Sequence, residues 1–236
     1  MGRRGPKPKR IINEKWNANL AYAIGLIATD GCLSKDGLLV DLTSKDREQL
    51  KNFSKCLGVD FKIGIKKNII GDESLRIQFK NKIFYDFLLS IGLTPRKSLT
   101  MGKLLIPDKY FFDFLRGCFD GDGCFYSYWD KRWRSSYMFY IEFISASKKH
   151  IDWIREELQR KINVAGHIVK DGRKITYQLK YAKREALEII KKMYYNPKVV
   201  CLSRKKLKIE KALKIEEKQQ SKYIICTGGE TVDSPS

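Results

Sequence analysis

A chain of 236 residues with 47 Lys and Arg against 27 Asp and Glu carries a formal charge of +20, while 43% of its residues are hydrophobic and 12% aromatic. That apolar fraction can bury a real core, so the charge belongs to a folded protein and not to a disordered basic tail. A surplus of this size calls for a polyanionic partner, nucleic acid or an anionic membrane; no apolar run approaches the ~20 residues of a bilayer span and no signal-peptide pattern is present, which makes nucleic acid the better reading.

Residues 1–16 read as a basic arm, since the first ten hold five basic residues, two prolines and no acid. From Asn17 a mostly apolar helical run leads to Asp30. A turn near Ser34 to Gly37, a strand over Leu38–Thr43 and a helix over Lys45–Leu57 with Ser44 as its cap follow. A hairpin of Phe61–Lys67 and Leu75–Lys80 around Asn68–Glu73, then a helix over Ile83–Ile91, complete a unit spanning 17–94. Residues 95–110, with Pro95 and Pro107, read as a connector. The order then recurs within 111–218: a helix from Phe111, a hairpin over 124–145, a helix over 148–161, a hairpin over 166–181 and a helix over 184–194. A last helix covers Ser203–Lys218, and 219–236 is polar and Gly-rich enough to read as a disordered tail. The copies differ most in their first hairpin. Asp30 to Ser44 is 14 residues and Asp122 to Ser147 is 25, which places an insertion around Tyr126 to Ser136.

The repeat is clearest in two motifs 92 positions apart. Ala23-Ile24-Gly25-Leu26-Ile27-Ala28-Thr29-Asp30-Gly31 is answered by Leu115-Arg116-Gly117-Cys118-Phe119-Asp120-Gly121-Asp122-Gly123. A repeat at this distance means two copies of one domain-sized unit, because solenoid periods are shorter. On a helix, Ala21, Gly25 and Ala28 form one narrow face of small residues, and Gly117 with Gly121 forms a similar one. Such faces let two backbones approach closely, which offsets the roughly 1 kcal/mol cost of a helical glycine. The two motif helices are therefore expected to pack on each other, with Asp30 and Asp122 side by side at their C-terminal ends. That place is electrostatically wrong for a carboxylate, since the helix end is already partly negative and the two charges repel. A rule broken twice, symmetrically, implies a bound cation, and all-oxygen ligands suit Mg²⁺. Asp-Gly-Asp-Gly at 120–123 is not a calcium loop, because Cys124 and Lys131 stand where that loop needs ligands. Ala28 matches Asp120, so the shared carboxylates are Asp30 and Asp122.

The second hairpins show where nucleic acid would lie. Period-two patterning puts Phe61, Ile63, Ile65, Leu75, Ile77 and Phe79 against helices and leaves Lys62, Lys66, Arg76, Gln78 and Lys80 on the other face. In copy two Ile175, Tyr177 and Leu179 oppose Lys174, Thr176, Gln178 and Lys180. A face of Lys, Arg, Gln and Thr suits phosphates and the major-groove edges of bases. The insertion, with Trp129, Arg132, Trp133 and Arg134, would extend that reach. Six cysteines without a CxxC pair and only two histidines give no zinc site, and read as free thiols of a reducing intracellular compartment.

These two motifs, at this separation in a chain of this size and charge, resemble the LAGLIDADG homing endonucleases in their single-chain, two-motif form. The resemblance covers roughly residues 17–212. It implies an α+β fold of two pseudo-two-fold-related αββαββα units, whose two antiparallel sheets form a saddle over DNA with the motif helices as the central interface. It makes Asp30 and Asp122 the metal ligands, helped by the carbonyls of Thr29 and Gly121, and it puts basic catalytic residues at Lys82 and Lys183, after the fourth strand of each copy. Pro95-Arg96-Lys97-Ser98 resembles the family's connector, and Ser44 and Ser147 stand where many members have Gln or a similar polar group. The implied activity is hydrolysis of both strands of an asymmetric duplex site of about 20 bp by a monomer. Mg²⁺ would be the cofactor, with Mn²⁺ substituting and Ca²⁺ supporting binding without cleavage. Two other readings share the fold: an intron maturase that binds structured RNA, and a DNA-binding regulator, which would usually have lost the aspartates.

Overall fold

The computed structural model describes residues 9–67, 71–132, 136–172 and 175–227, with side chains to Gln219. Helix α1 (Ala18–Asp30) starts at Asn17, whose side chain accepts from the Leu20 amide at 2.9 Å, and ends where Gly31 turns extended. Strands β1 (Gly31–Leu33) and β2 (Leu39–Ser44) lead to α2 (Arg47–Leu57), then β3 (Ile63–Lys67), β4 (Glu73–Lys80) and α3 (Lys82–Ser90). Copy two repeats the series as α4 (Phe111–Gly121), β5 (Cys124–Trp129), β6 (Tyr137–Ser145), α5 (Lys148–Ile162), β7 (His167–Lys170), β8 (Tyr177–Ala182) and α6 (Lys183–Met193). A final helix, α7, runs over Ser203–Thr227.

The eight strands form two four-stranded antiparallel sheets of identical topology, β1-β2-β4-β3 and β5-β6-β8-β7. One hydrophobic cluster runs through both copies, from Leu42, Phe53 and Ile77 on one side to Phe139, Ile141 and Leu179 on the other. At its centre α1 packs on α4. A Cβ built on Gly25 would stand 2.2 Å from the Phe114 carbonyl oxygen, and one on Gly117 would stand 2.2 Å from that of Tyr22. Tyr22 and Phe114 are equivalent positions, as are Gly25 and Gly117, so each glycine receives the other helix in the same way. This reciprocity is the signature of a two-fold contact between duplicated halves.

Several expectations change in detail. Asp46, not Ser44, caps α2, because its carboxylate reaches the Glu48 amide at 3.1 Å while Ser44 Oγ accepts from the Asp46 amide. Ile65 is 60% exposed toward the tip of its hairpin, past the cover of the helices, and Ile175 is 71% exposed because it lies in the β7–β8 turn. Residues 11–16 are not a free arm: Ile12 is buried in the core and Trp16 meets Phe87 edge-on. The tail continues α7 to Thr227, since no Gly or Pro interrupts 219–227 before Gly228.

Candidate metal centre and nucleic-acid interface

The glycine contact carries the two motif helices to a common end. A Cβ on Gly121 would meet Thr29 Oγ1 at 2.0 Å and Asp30 Oδ2 at 3.0 Å, so the last turn of α4 lies directly on the last turn of α1. Asp30 closes α1 and Asp122 is the C-cap of α4. Half-buried Asp30 is raised to about 6, first by lost hydration and then by the negative charge of Asp122; Asp122, more open to solvent, is also raised by lost hydration. Gln49 on α2 donates to Asp30 Oδ2 at 2.5 Å, and Ser44 Oγ donates to Gln49 Oε1 at 2.9 Å. Gln49 thus takes the polar role that the sequence assigned to Ser44. In copy two the position matching Gln49, three residues beyond the N-cap, is His150. Its Nδ1 is 2.9 Å from the Gly102 carbonyl, and burial lowers its pKa to about 4, so it is neutral and turned to the connector. Ser147, the other assigned Ser, donates to the Met101 carbonyl at 2.5 Å.

The lysines beside the carboxylates are Lys97 and Lys205. Lys97, 5% exposed in the connector, donates to the Gly31 carbonyl at 2.8 Å. Lys205, 7% exposed on α7, donates to the carbonyls of Phe119, of Gly121 at 3.2 Å and of Gly123 at 2.7 Å. Each ammonium therefore sits on the partly negative C-terminal end of its own copy's motif helix, where a cation is stabilising and unpaired carbonyls need donors. Loss of hydration lowers both lysines, Lys205 to about 8, and both act on Asp30 and Asp122 by charge. Lys82 and Lys183 are engaged elsewhere. Lys82 pairs with Asp86 on the surface of α3, and Lys183 with Glu216 and the Tyr137 carbonyl. Lys82 opens α3 on the surface and Lys183 opens α6 against α7, whereas the chain after each of those helices returns to the motif ends. The readable signal was a second repeat, Arg96-Lys97 after α3 and Arg204-Lys205 after α6.

The start of α7 is fixed from both copies. Asp120 is fully buried and accepts from the Leu202 amide and the Tyr22 hydroxyl, each at 2.7 Å. Arg116 donates to the Val200 and Met193 carbonyls at 2.9 and 2.7 Å. From copy one, Glu48 accepts from the Ser203 amide at 3.1 Å and Asp46 pairs with Arg204 at 2.7 Å. These contacts set Lys205 on its three carbonyls.

The oxygens assembled here fit a hard divalent cation. Among the described residues no group of three or more His, Cys, Asp or Glu could hold a metal, so the candidate set is two carboxylates and backbone carbonyls. Gly121 carbonyl already accepts from Lys205, while the Thr29 carbonyl lies in a last turn with no helical donor beyond it; the Thr29 hydroxyl points back to Gly25 and Leu26 carbonyls. With both lysines in place Asp30 is still raised to about 6, first by lost hydration and then by Asp122.

Beyond the centre a cleft of about 510 Å³ runs from Asp30 and Gly121 past Gln49 to Thr43 and Ser74 on the open face of the first sheet. On that face Lys62, Lys66, Gln78 and Lys80 are exposed and Arg76 is half-buried. Asp41 ties them together: it is 3.6 Å from Arg76 and accepts from Gln78 at 3.2 Å and Thr43 at 2.9 Å. On the second sheet Gln178 and Lys180 share the open face, and Thr176 precedes β8. Lys180 is paired with Glu142 at 2.9 Å, and Arg132 with Asp130 at 3.2 Å. Arg134, Trp133 and Lys174 lie outside the described residues. The acids Asp41 and Glu142 were not foreseen; they occupy matching register positions, opposite Cys32 and Cys124.

No protein-family model and no curated protein matches the chain. Solved structures do. The LAGLIDADG meganuclease I-AabMI bound to uncleaved DNA superposes with a TM-score of 0.58 at 15% identity, covering 88% of this chain and 92% of that one. The homing endonuclease I-DmoI in complex with DNA and Mn gives 0.50 at 18% identity, covering 76% and 97%. The N-terminal LAGLIDADG domain of DUF199/WhiA gives 0.51 at 15% identity, covering 77% and 84%. The chain therefore has the LAGLIDADG fold, which is shared by homing endonucleases and by WhiA.

Proposed function

We propose that this chain is a divalent-metal-dependent endonuclease that cuts both strands of a long, asymmetric duplex DNA site as a monomer. The observation that carries the reading is the duplicated centre: two carboxylates on glycine-packed helix ends, each end also holding a buried lysine. A regulator of the same fold has no need of this costly set, in which both carboxylates are raised and both lysines lowered by lost hydration. The net charge of +20 and the open polar face of the first sheet supply the attraction to a phosphate backbone. The DNA-bound neighbours I-AabMI and I-DmoI, the latter with Mn, support the partner and the use of a divalent metal.

Asp30 and Asp122, with the Thr29 and Gly121 carbonyls, would hold Mg²⁺, with Mn²⁺ able to replace it and Ca²⁺ able to occupy the site without supporting cleavage. Such an ion, when bound, activates water and neutralises charge on the leaving oxygen. The protein's own groups do the rest. Gln49 fixes the Asp30 carboxylate by holding Oδ2, which orients its second oxygen. Lys97 and Lys205 keep ammonium groups poised beside the carboxylates, where charge builds on the phosphoryl group in the transition state. Lys205, lowered to about 8, can also exchange a proton near neutral pH. The sheets bind and orient the duplex, one half-site each, and because the copies differ in sequence the site is asymmetric. The test is selection of cleaved sites from a randomised duplex library with Mg²⁺. Recovery of one long site cut on both strands supports the reading, and binding without cutting under Mg²⁺ or Mn²⁺ overturns it.

A further inference from the structure

The open faces of the two sheets differ most on their first hairpins. On the first, β2 and β4 present Asp41, Thr43, Arg76, Gln78 and Lys80. On the second, the part of the open face on β5 and β6 is rich in tyrosine, while β8 keeps Gln178 and Lys180. Tyr126 lies across from Tyr140 and Tyr128 across from Met138, and the buried partners Phe125, Phe139 and Ile141 occupy the opposite face. The rings stack on one another: Tyr126 and Tyr140 have centroids 5.3 Å apart at 14°, Tyr128 and Tyr140 6.3 Å apart at 5°. Tyr140 is thus the ring that the other two stack against. Its basic neighbour Lys180 is spent on Glu142. Yet Tyr126 is 36% exposed and Tyr128 44%, on the elongated hairpin that distinguishes copy two.

We propose that this tyrosine ladder reads the copy-two half-site by packing its rings against thymine C5-methyl groups in the major groove, while copy one reads its half-site with charged and amide groups. The inference rests on the DNA reading above and deepens it. Two features select this occupant. The rings lie nearly parallel to Tyr140 and within 6.3 Å of it, so they offer unpaired bases fewer free aromatic planes than three separate rings would, and single-strand or RNA recognition relies on such planes. Tyr126 and Tyr128 are 36% and 44% exposed, so part of each side chain meets whatever lies along the sheet, and the apolar group of the major-groove surface is the thymine methyl, which uracil lacks. The face is also continuous with Gln178 and Lys180, so a duplex lying along the sheet crosses it. A pre-stacked ladder loses little freedom on binding, which suits it to recognition.

The experiment uses the full chain and the site recovered by selection. Thymines of the left half, the right half or both are replaced by deoxyuridine, and binding is measured by fluorescence anisotropy in Ca²⁺. Each buried methyl is worth about fourfold in affinity. Deoxyuridine in one half should weaken binding by at least that factor per contacted thymine, and in the other half by less than about twofold. The double variant Tyr126→Ser, Tyr128→Ser should lose this sensitivity, with thermal melting reported alongside; if the variant does not fold, the wild-type comparison of halves decides. Tolerance of deoxyuridine in both halves, or a folded variant as sensitive as wild type, overturns the ladder. A site that is bound and cut but indifferent to deoxyuridine sinks the ladder alone, whereas failure to select any duplex sinks both proposals.

Discussion

Replacing Gly117 by Ala adds one methyl group where the two halves of the protein meet, and the structure decides the sign of its effect. On helix propensity alone the change should stabilise by about 1 kcal/mol. The added Cβ, however, would stand 2.2 Å from the Tyr22 carbonyl oxygen and 3.0 Å from Gly25 Cα, both backbone atoms that cannot rotate away. Restoring ordinary contact requires α1 and α4 to separate by roughly 1 Å through a close-packed core, and overpacking of this kind costs typically ~1–3 kcal/mol or more. The net expectation is a loss of up to about 2 kcal/mol, read as a lower urea midpoint at unchanged slope. Cleavage should fall more steeply, by about 10²-fold, because a shift of about 1 Å misplaces Asp122 relative to Asp30. Gly102→Ala, where an added Cβ meets nothing within 4 Å, serves as the control and should be near neutral. If Gly117→Ala is instead stabilised by the full propensity gain, the helices do not touch backbone to backbone and the shared centre is wrong.

Lys97→Met and Lys205→Met should each slow single-turnover cleavage by about 10²-fold with binding within about tenfold, because they act on transition-state charge. Lys82→Met, which breaks only an exposed pair, should change the rate by less than roughly twofold, and a large loss there would return the catalytic role to the end of the fourth strand. Asp120 is raised to about 6 by burial, above its ordinary value of 3.8, so its share of stability is fully present below about pH 4 and is lost as pH rises through about 6. Asp120→Asn should therefore flatten the fall in urea midpoint between pH 4 and 6 relative to wild type, and an unchanged profile would show that the carboxyl is not desolvated. Binding in Ca²⁺ should weaken with salt at a slope steeper than about −6 in log K against log salt, and a slope shallower than about −3 would reject two sheets lying along a duplex.

Much of the fold was legible because its devices are local and duplicated. Ala21, Gly25 and Ala28 announce a close helix contact, and Leu75 to Lys80 alternates cleanly enough to give strand and facing together. Asp30 and Asp122 were legible because each ends the contact helix. Gln49 and Lys205 were not, since each looks like a solvated polar residue until a distant element covers it, and Lys97 is marked in the sequence only by its place in the connector motif. Gln49 is 3% exposed because α2 lies beside the end of α1, and Lys205 is buried only when Asp120, Arg116 and Glu48 draw α7 in. Ile65 erred the other way: strand period sets the face but does not say where the covering helices stop. The acids Asp41 and Glu142 were overlooked because strand alternation gives the side of the sheet and not the cross-strand partner.

The central claim is that one carboxylate from each copy works in a single metal-dependent centre. Strand-resolved single-turnover cleavage of the selected site in Mg²⁺, comparing wild type with Asp30→Asn and Asp122→Asn, tests it directly. Each variant should lose double-strand cleavage while binding the same duplex in Ca²⁺ within about tenfold of wild type, since these ligands serve the transition state more than recognition. A double-strand break made at the wild-type rate by either variant would contradict the account.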